Sequence, residues 1–160
     1  MPLTSTLPAI SYTQVGSQGP RVLLLMGYAM RGEVWKPQVD GLSDQCQVVF
    51  FDNRGIGESE AHDRPLSMLD MAKDAARVLD ALGWHDAVHL VGVSMGGMVA
   101  QELALYQPDR FATLSLLATH AGGFGAIGAF LTLPPTVMTL KSVAEARDFF
   151  RDAHRRIFDK

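Results

Sequence analysis

Apolar residues along this chain fall into two kinds of run that alternate. Val22 to Met26, Gln47 to Phe51, Ala87 to Val93 and Ala112 to Ala118 are largely apolar stretches of strand length, the pattern of strands covered on both faces. Ile10 to Val15 instead alternates apolar with polar positions, as a half-exposed strand does. Between these runs the spacing turns helical. Leu69, Ala72, Ala75, Ala76, Leu79 and Leu82 recur on one helical face, with Ser67 and Asp70 placed as a capping box and Gly83 as the stop. A weaker helix is predicted over Glu33 to Leu42, and another from Met98 to Leu105. A last one follows the Ser142/Glu145 capping pattern, with Val143, Ala146, Phe149, Phe150, Ala153 and Ile157 in one stripe. Strands alternating with helices imply an α/β fold: a mostly parallel sheet with helices on both faces.

Length and composition narrow this picture. A chain of 160 residues reads as one domain. Its 48% hydrophobic and 19% charged residues suit a packed globular protein rather than a disordered one. The formal net charge of −3 gives no reason to expect nucleic acid or an anionic membrane as a partner. The lone cysteine, Cys46, reads as a small apolar residue near a strand start and cannot form an internal disulfide. Met1 to Gly19 lacks the charged and apolar regions of a signal peptide, so a cytoplasmic location is expected. Phe111 to Leu140 carries no Asp, Glu, Lys or Arg, but Gly122, Gly123, Gly125, Gly128 and Pro134-Pro135 would break a spanning helix. The expectation there is a strand followed by a pocket wall or lid, with no membrane span. Nothing in the sequence fixes an oligomeric state.

Candidate chemistry gathers where three predicted strands end, the rim at which open α/β sheets bind ligands. The three segments are Met26-Gly27-Tyr28-Ala29-Met30, Asp52-Asn53-Arg54-Gly55-Ile56-Gly57-Glu58-Ser59, and Gly92-Val93-Ser94-Met95-Gly96. The last is a G-x-S-x-G motif between a predicted strand and a predicted helix, the setting in which a serine is presented on a strained turn. Its glycines let strand and helix backbones approach closely. Asp52 and Arg54 read as a carboxylate and guanidinium tying down a glycine-rich turn, and Glu58 and Ser59 as turn and helix-start residues. The Tyr28 ring is open to two readings, pocket wall or ordinary packing. No His/Cys/Asp cluster has metal-ligand spacing, so no metal is expected.

With Asp52 to Ser59 and Gly92 to Gly97 in this order and spacing, the chain resembles the α/β-hydrolase superfamily, particularly its small esterases, lactonases and cofactor-free perhydrolases. The resemblance covers nearly the whole chain but only the N-terminal portion of such a protein. It implies that Ser94 attacks an acyl carbonyl, with the backbone N–H groups of Met95 and Tyr28 as the oxyanion hole. Met26-Gly27 stands where the family commonly has His-Gly. It implies no cofactor, and an apolar pocket lined by Met26, Tyr28, Met30, Met95, Met98, His120 and the Gly122 to Leu133 stretch, suited to a small apolar ester or lactone. The family's acid and histidine follow the serine after two further strands. Here His120 and His154, and Asp109, Glu145, Asp148 and Asp152, follow Ser94, yet no Ser–acid–His set can be assembled from them. The expectation is one incomplete domain over residues 1–160, lacking its C-terminal strands, with 119–160 starting a lid or cap. Ala112 to Ala118 would then be an exposed apolar edge, and the chain a weak or inactive hydrolase. The rival reading is a non-catalytic binding or scaffolding protein that retains the hydrolase shell. A dinucleotide-binding domain would need G-x-G-x-x-G after the first buried strand, where this chain has one glycine.

Overall fold

The computed structural model describes residues 1–61, 63, 65–121 and the strand at 137–140. Strands β1 (Tyr12–Val15), β2 (Arg21–Leu25), β3 (Gln47–Phe51), β4 (Val88–Val93), β5 (Phe111–Leu117) and β6 (Val137–Leu140) form one sheet. Their spatial order is β1-β3-β2-β4-β5-β6. The pairs β2–β3, β2–β4 and β4–β5 are parallel. Only the two edges run antiparallel, β1 on β3 with Tyr12 opposite Phe51, and β6 on β5 with Leu117 opposite Val137.

The largely apolar runs become these strands because each sends alternate side chains into separate cores. Leu23, Leu25, Val49, Phe51, Leu90, Leu114 and Leu116 face α2 (Met68–Ala81) and α3 (Met95–Tyr106). Val22, Leu24, Met26, Val48 and Phe50 face the other way, onto Trp35 and Val39. Those two residues belong to a short 3₁₀ turn, Gly32–Trp35, and to α1 (Lys36–Leu42). The predicted helix over Glu33 to Leu42 is thus a tight turn running into a short helix.

The α2 boundaries are set as the sequence predicts. Ser67 Oγ accepts from the Asp70 amide at 3.1 Å, and the Asp70 carboxylate accepts from the Ser67 amide at 3.0 Å. At the other end Gly83 adopts φ +66°, letting the Trp84 amide reach back to the Leu79 carbonyl at 2.9 Å.

The β5 edge departs from expectation. Residues 114–117 are paired with β6, so that edge is not left open, and Val137–Leu140 belongs to the sheet rather than to a pocket wall. The open N–H and C=O groups of an edge strand favour any short β-type segment within reach. That is a long-range effect no local pattern announces. The Gly122 to Leu133 stretch and the helix expected after Ser142 lie outside the described residues, as do His62 and His154.

Candidate active site

The segment between β4 and α3 is a sharp strand-to-helix turn one residue wide. Ser94 occupies it with φ +53° and ψ −122°, a conformation that L-residues avoid. Close backbone approaches force it. A Cβ on Gly92 would lie 2.4 Å from the Gly96 carbonyl oxygen, and one on Gly96 would lie 2.3 Å from the Leu25 oxygen. The helix start therefore rests directly on the ends of β4 and β2. Ser94's backbone is held from several sides. Its N–H donates to the Leu117 oxygen at 3.0 Å, and its carbonyl accepts from the Gly97 amide at 3.0 Å and from Thr119 Oγ1 at 2.6 Å. The serine itself is exposed and its side chain makes no capping hydrogen bond. Met95 begins the helix, where a backbone N–H has no carbonyl partner within the helix. The positive end of the helix dipole adds to that amide's attraction for negative charge.

A second loop, leaving β2, comes up against this turn. Gly27 is buried beside Ser94: a Cβ there would lie 3.4 Å from Ser94 Cβ and 3.8 Å from Ser94 Oγ. The next amide along is that of Tyr28. Of the two readings of the Tyr28 side chain, ordinary packing does not hold, since Tyr28 is 78% exposed. Met30 is exposed, and Met95 and Met98 are half-buried. His120 is half-buried, and its main-chain carbonyl accepts from Gln101 Nε2 at 3.1 Å. Gln101, buried in α3, also donates to the Gly97 carbonyl at 3.0 Å. Gln101 and Thr119 thus fasten the segment after β5 to the turn, a job sequence reading missed. The only signal was a glutamine inside an apolar helical run.

Other sequence candidates lie elsewhere. His89 is within β4, its Nδ1 2.9 Å from Thr113 Oγ1. His85 lines a groove of about 450 Å³ with Asp80, Tyr106 and Arg110. That groove is at the far end of α3 from Ser94, about 18 Å away by helical rise. Arg54 corrects the expectation made for it. Instead of tying down its own turn, it crosses to α2, where Nε and Nη2 donate to the Asp74 carboxylate at 2.8 and 2.6 Å. Arg77 adds a third cationic contact to the same carboxylate. Ser59, read as a turn residue, links segments: its Oγ donates to the Asp52 carbonyl at 2.7 Å and accepts from the Ser11 amide at 2.9 Å.

A sheet of this topology with a strained serine at the head of a helix defines the class. Residues 20–155 match the model of the alpha/beta hydrolase fold family, and the chain belongs to that family. Among its relatives, a putative carbamate hydrolase RutD of Azorhizobium caulinodans is 37% identical over 126 residues, 78% of this chain and 47% of that protein. An esterase structure from Thermogutta terrifontis matches with TM-score 0.68 and 36% identity, over 74% of this chain and 44% of that one. The structure of Est816, described as an N-acyl homoserine lactone degrading enzyme, matches with TM-score 0.69 and 28% identity, over 82% and 52% of the two chains. The chain spans about half the length of these relatives. Among the described residues, no helix is long and apolar enough to cross a membrane.

One substitution separates room from reactivity. A methyl group at Gly27 would meet Ser94 only at ordinary contact distance, so Gly27→Ala is expected to fold with a change within about 1 kcal/mol. It would occupy space beside Ser94 Oγ, where any reagent bonding to that oxygen has to approach. Misplacing the reacting atoms by about 1 Å costs on the order of a hundredfold in rate. Urea midpoints and the rate of covalent labelling of Ser94 by a fluorophosphonate check the two halves of this expectation.

Proposed function

We propose that this chain carries the nucleophile and oxyanion hole of a serine hydrolase acting on carboxylic ester or lactone bonds. In this reading Ser94 Oγ attacks the acyl carbonyl, the carbonyl π electrons move onto oxygen, and the Met95 and Tyr28 amides receive the charge as it forms. Collapse of the tetrahedral adduct expels the alcohol and leaves an acyl-enzyme, which water then cleaves. The observation that carries the reading is the exposed Ser94 held at φ +53° on an over-determined backbone beside Gly27. Backbone strain held in place by its surroundings clusters at active sites, which supports reading this serine as a nucleophile kept from relaxing. The substrate favoured is small and apolar, because Tyr28 and Met30 are exposed on the loop after β2 and Met95 and Met98 are half-buried at the head of α3, with His120 following β5. The relatives include proteins described as an esterase and as a lactone-degrading enzyme, which supports the same bond class. The Ser94 proton passes to a general base as the new C–O bond forms, and the same group returns it to the departing alkoxide.

Treating the chain with an alkyl fluorophosphonate and mapping the adduct by mass spectrometry tests the proposal. A single phosphonylated peptide containing Ser94 is expected, formed slowly as suits a weak hydrolase and competed by p-nitrophenyl butyrate. An unlabelled serine in folded protein would favour instead a binding or scaffolding protein on the same shell.

A further inference from the structure

The two residues that follow β3, Asp52 and Asn53, reach in opposite directions along one loop. Asn53 Nδ2 donates to the Met26 carbonyl at 3.2 Å, at the start of the segment that runs from β2 to the 3₁₀ turn. Asp52 Oδ1 accepts from the Gly32 amide at 2.8 Å, at its end. Both side chains are buried, with Asp52 2% and Asn53 4% exposed. Between these two tethers lie Gly27, packed on Ser94, Tyr28, and Ala29 at φ +57°. A left-handed alanine is disfavoured by sterics, so a loop free at either end would relax away from this shape.

Both tethers are themselves anchored. The Asp52 amide donates to the Ser11 carbonyl at 3.0 Å, and its carbonyl accepts from Ser59 Oγ. The Ile56 amide donates to the Asn53 carbonyl at 2.9 Å. The second carboxylate oxygen of Asp52 faces Gly57, where a Cβ would lie 2.0 Å from it. Only glycine fits there, so the turn closes down on the carboxylate. The Asp52-to-Ser59 stretch is thus shaped around this one side chain.

We infer that Asp52 and Asn53 are positioning residues that clamp the 26–32 loop at both ends and so aim the Tyr28 amide at the oxygen developing charge beside Ser94. This rests on the proposed hydrolase reading. Neither residue touches the reacting atoms in it. A donor amide is useful only within about 0.5 Å and 10–20° of the productive geometry, and removing one such donor costs about a hundredfold to a thousandfold in rate. Loosening the loop, rather than deleting the amide, is expected to cost about tenfold to a hundredfold.

The test uses the full chain and two readouts, amide hydrogen exchange over residues 27–31 and the second-order rate of Ser94 labelling by a fluorophosphonate. Asp52→Ala and Asn53→Ala are each expected to speed exchange in the loop at least tenfold and slow labelling by a similar factor. Exchange over residues 95–100 should stay as in the wild type. Asp52→Asn, whose amide oxygen can still accept from Gly32, should recover most of the rate. Should Asp52→Ala fail to fold, Asn53→Ala decides alone. The inference is overturned by unchanged loop exchange in folded variants, by a loosened loop with undiminished labelling, or by Asp52→Asn behaving as Asp52→Ala. A wild-type chain that takes no label sinks the nucleophile reading and this inference together, whereas a labelled wild type with unaffected variants sinks only the inference.

Discussion

Replacing Ser94 with glycine is expected to yield a protein more stable than the wild type and inert toward esters and fluorophosphonates. The φ of +53° and ψ of −122° at this position suit glycine and strain any residue with a Cβ. Strain of this kind costs on the order of 1–3 kcal/mol. Little opposes its release: the serine is exposed and its hydroxyl caps nothing. The extra chain entropy of glycine in the unfolded state takes back about 0.5–1 kcal/mol. A net gain of about 1 kcal/mol follows, a rise of roughly 2–4 °C in Tm for a chain of this size. Ser94→Ala keeps the Cβ and hence the strain, so it should unfold at the wild-type midpoint while being equally inert. Losing a serine nucleophile costs on the order of 10⁶ in turnover when base and oxyanion donors are in place. Urea titrations beside p-nitrophenyl ester assays and mass-mapped labelling would reveal both effects. A Ser94→Gly protein clearly less stable than Ser94→Ala would show that the turn is not strained, and retained labelling would move the nucleophile elsewhere.

The largest loss of stability is expected from Asp74→Ala. Asp74 and the Arg54 side chain are 1% and 4% exposed and face each other through two hydrogen bonds. Removing the carboxylate strands a guanidinium in a site closed to water, which typically costs about 3–5 kcal/mol. Arg77 is already partly in solvent and loses far less. The double variant Arg54→Met/Asp74→Leu removes both charges, and because buried pairs often exchange for apolar contacts at little cost, it should recover most of the loss. Arg54 adjoins Asn53 and Asp52, so the single variant is also expected to slow Ser94 labelling. Thermal unfolding of the wild type, Arg54→Met, Asp74→Leu and the double variant in a double-mutant cycle gives the coupling directly. A coupling near zero would mean that water reaches Arg54 and that the pair does not hold this turn to α2.

Much of this architecture was legible residue by residue. Gln47–Phe51 coincides with its predicted strand, and the Ser67/Asp70 box and Gly83 mark the ends of α2 because capping depends only on neighbours three or four residues away. The strand before Ser94 and the helix after it were predicted, with α3 beginning three residues earlier than expected, at Met95. That shift is itself tertiary: Gly96 and Gly97 are poor helix formers, but the ends of β2 and the Thr119 side chain press on them so closely that no Cβ would fit. What local pattern could not supply were partners distant in sequence. Local pattern leaves Arg54 on its own turn because Asp74 lies on another element. Gln101 and Thr119 give no local signal because their bonds to the His120 and Ser94 carbonyls exist only once β5 lies beside β4.

The amino-acid order alone therefore determined which segments become β1 to β5 and the helices α1 to α3, that the sheet is mostly parallel, and which serine sits at a strand-to-helix junction. Period and glycine placement act over a few residues, and folding does not change them. Folding decided the rest: the antiparallel cover on β5, the reach of Arg54 into α2, and the pinning of the loop beside Ser94 by Asp52 and Asn53. A buried donor or acceptor takes whatever partner the packed chain brings within about 3 Å, and that partner is chosen by topology rather than by spacing along the chain.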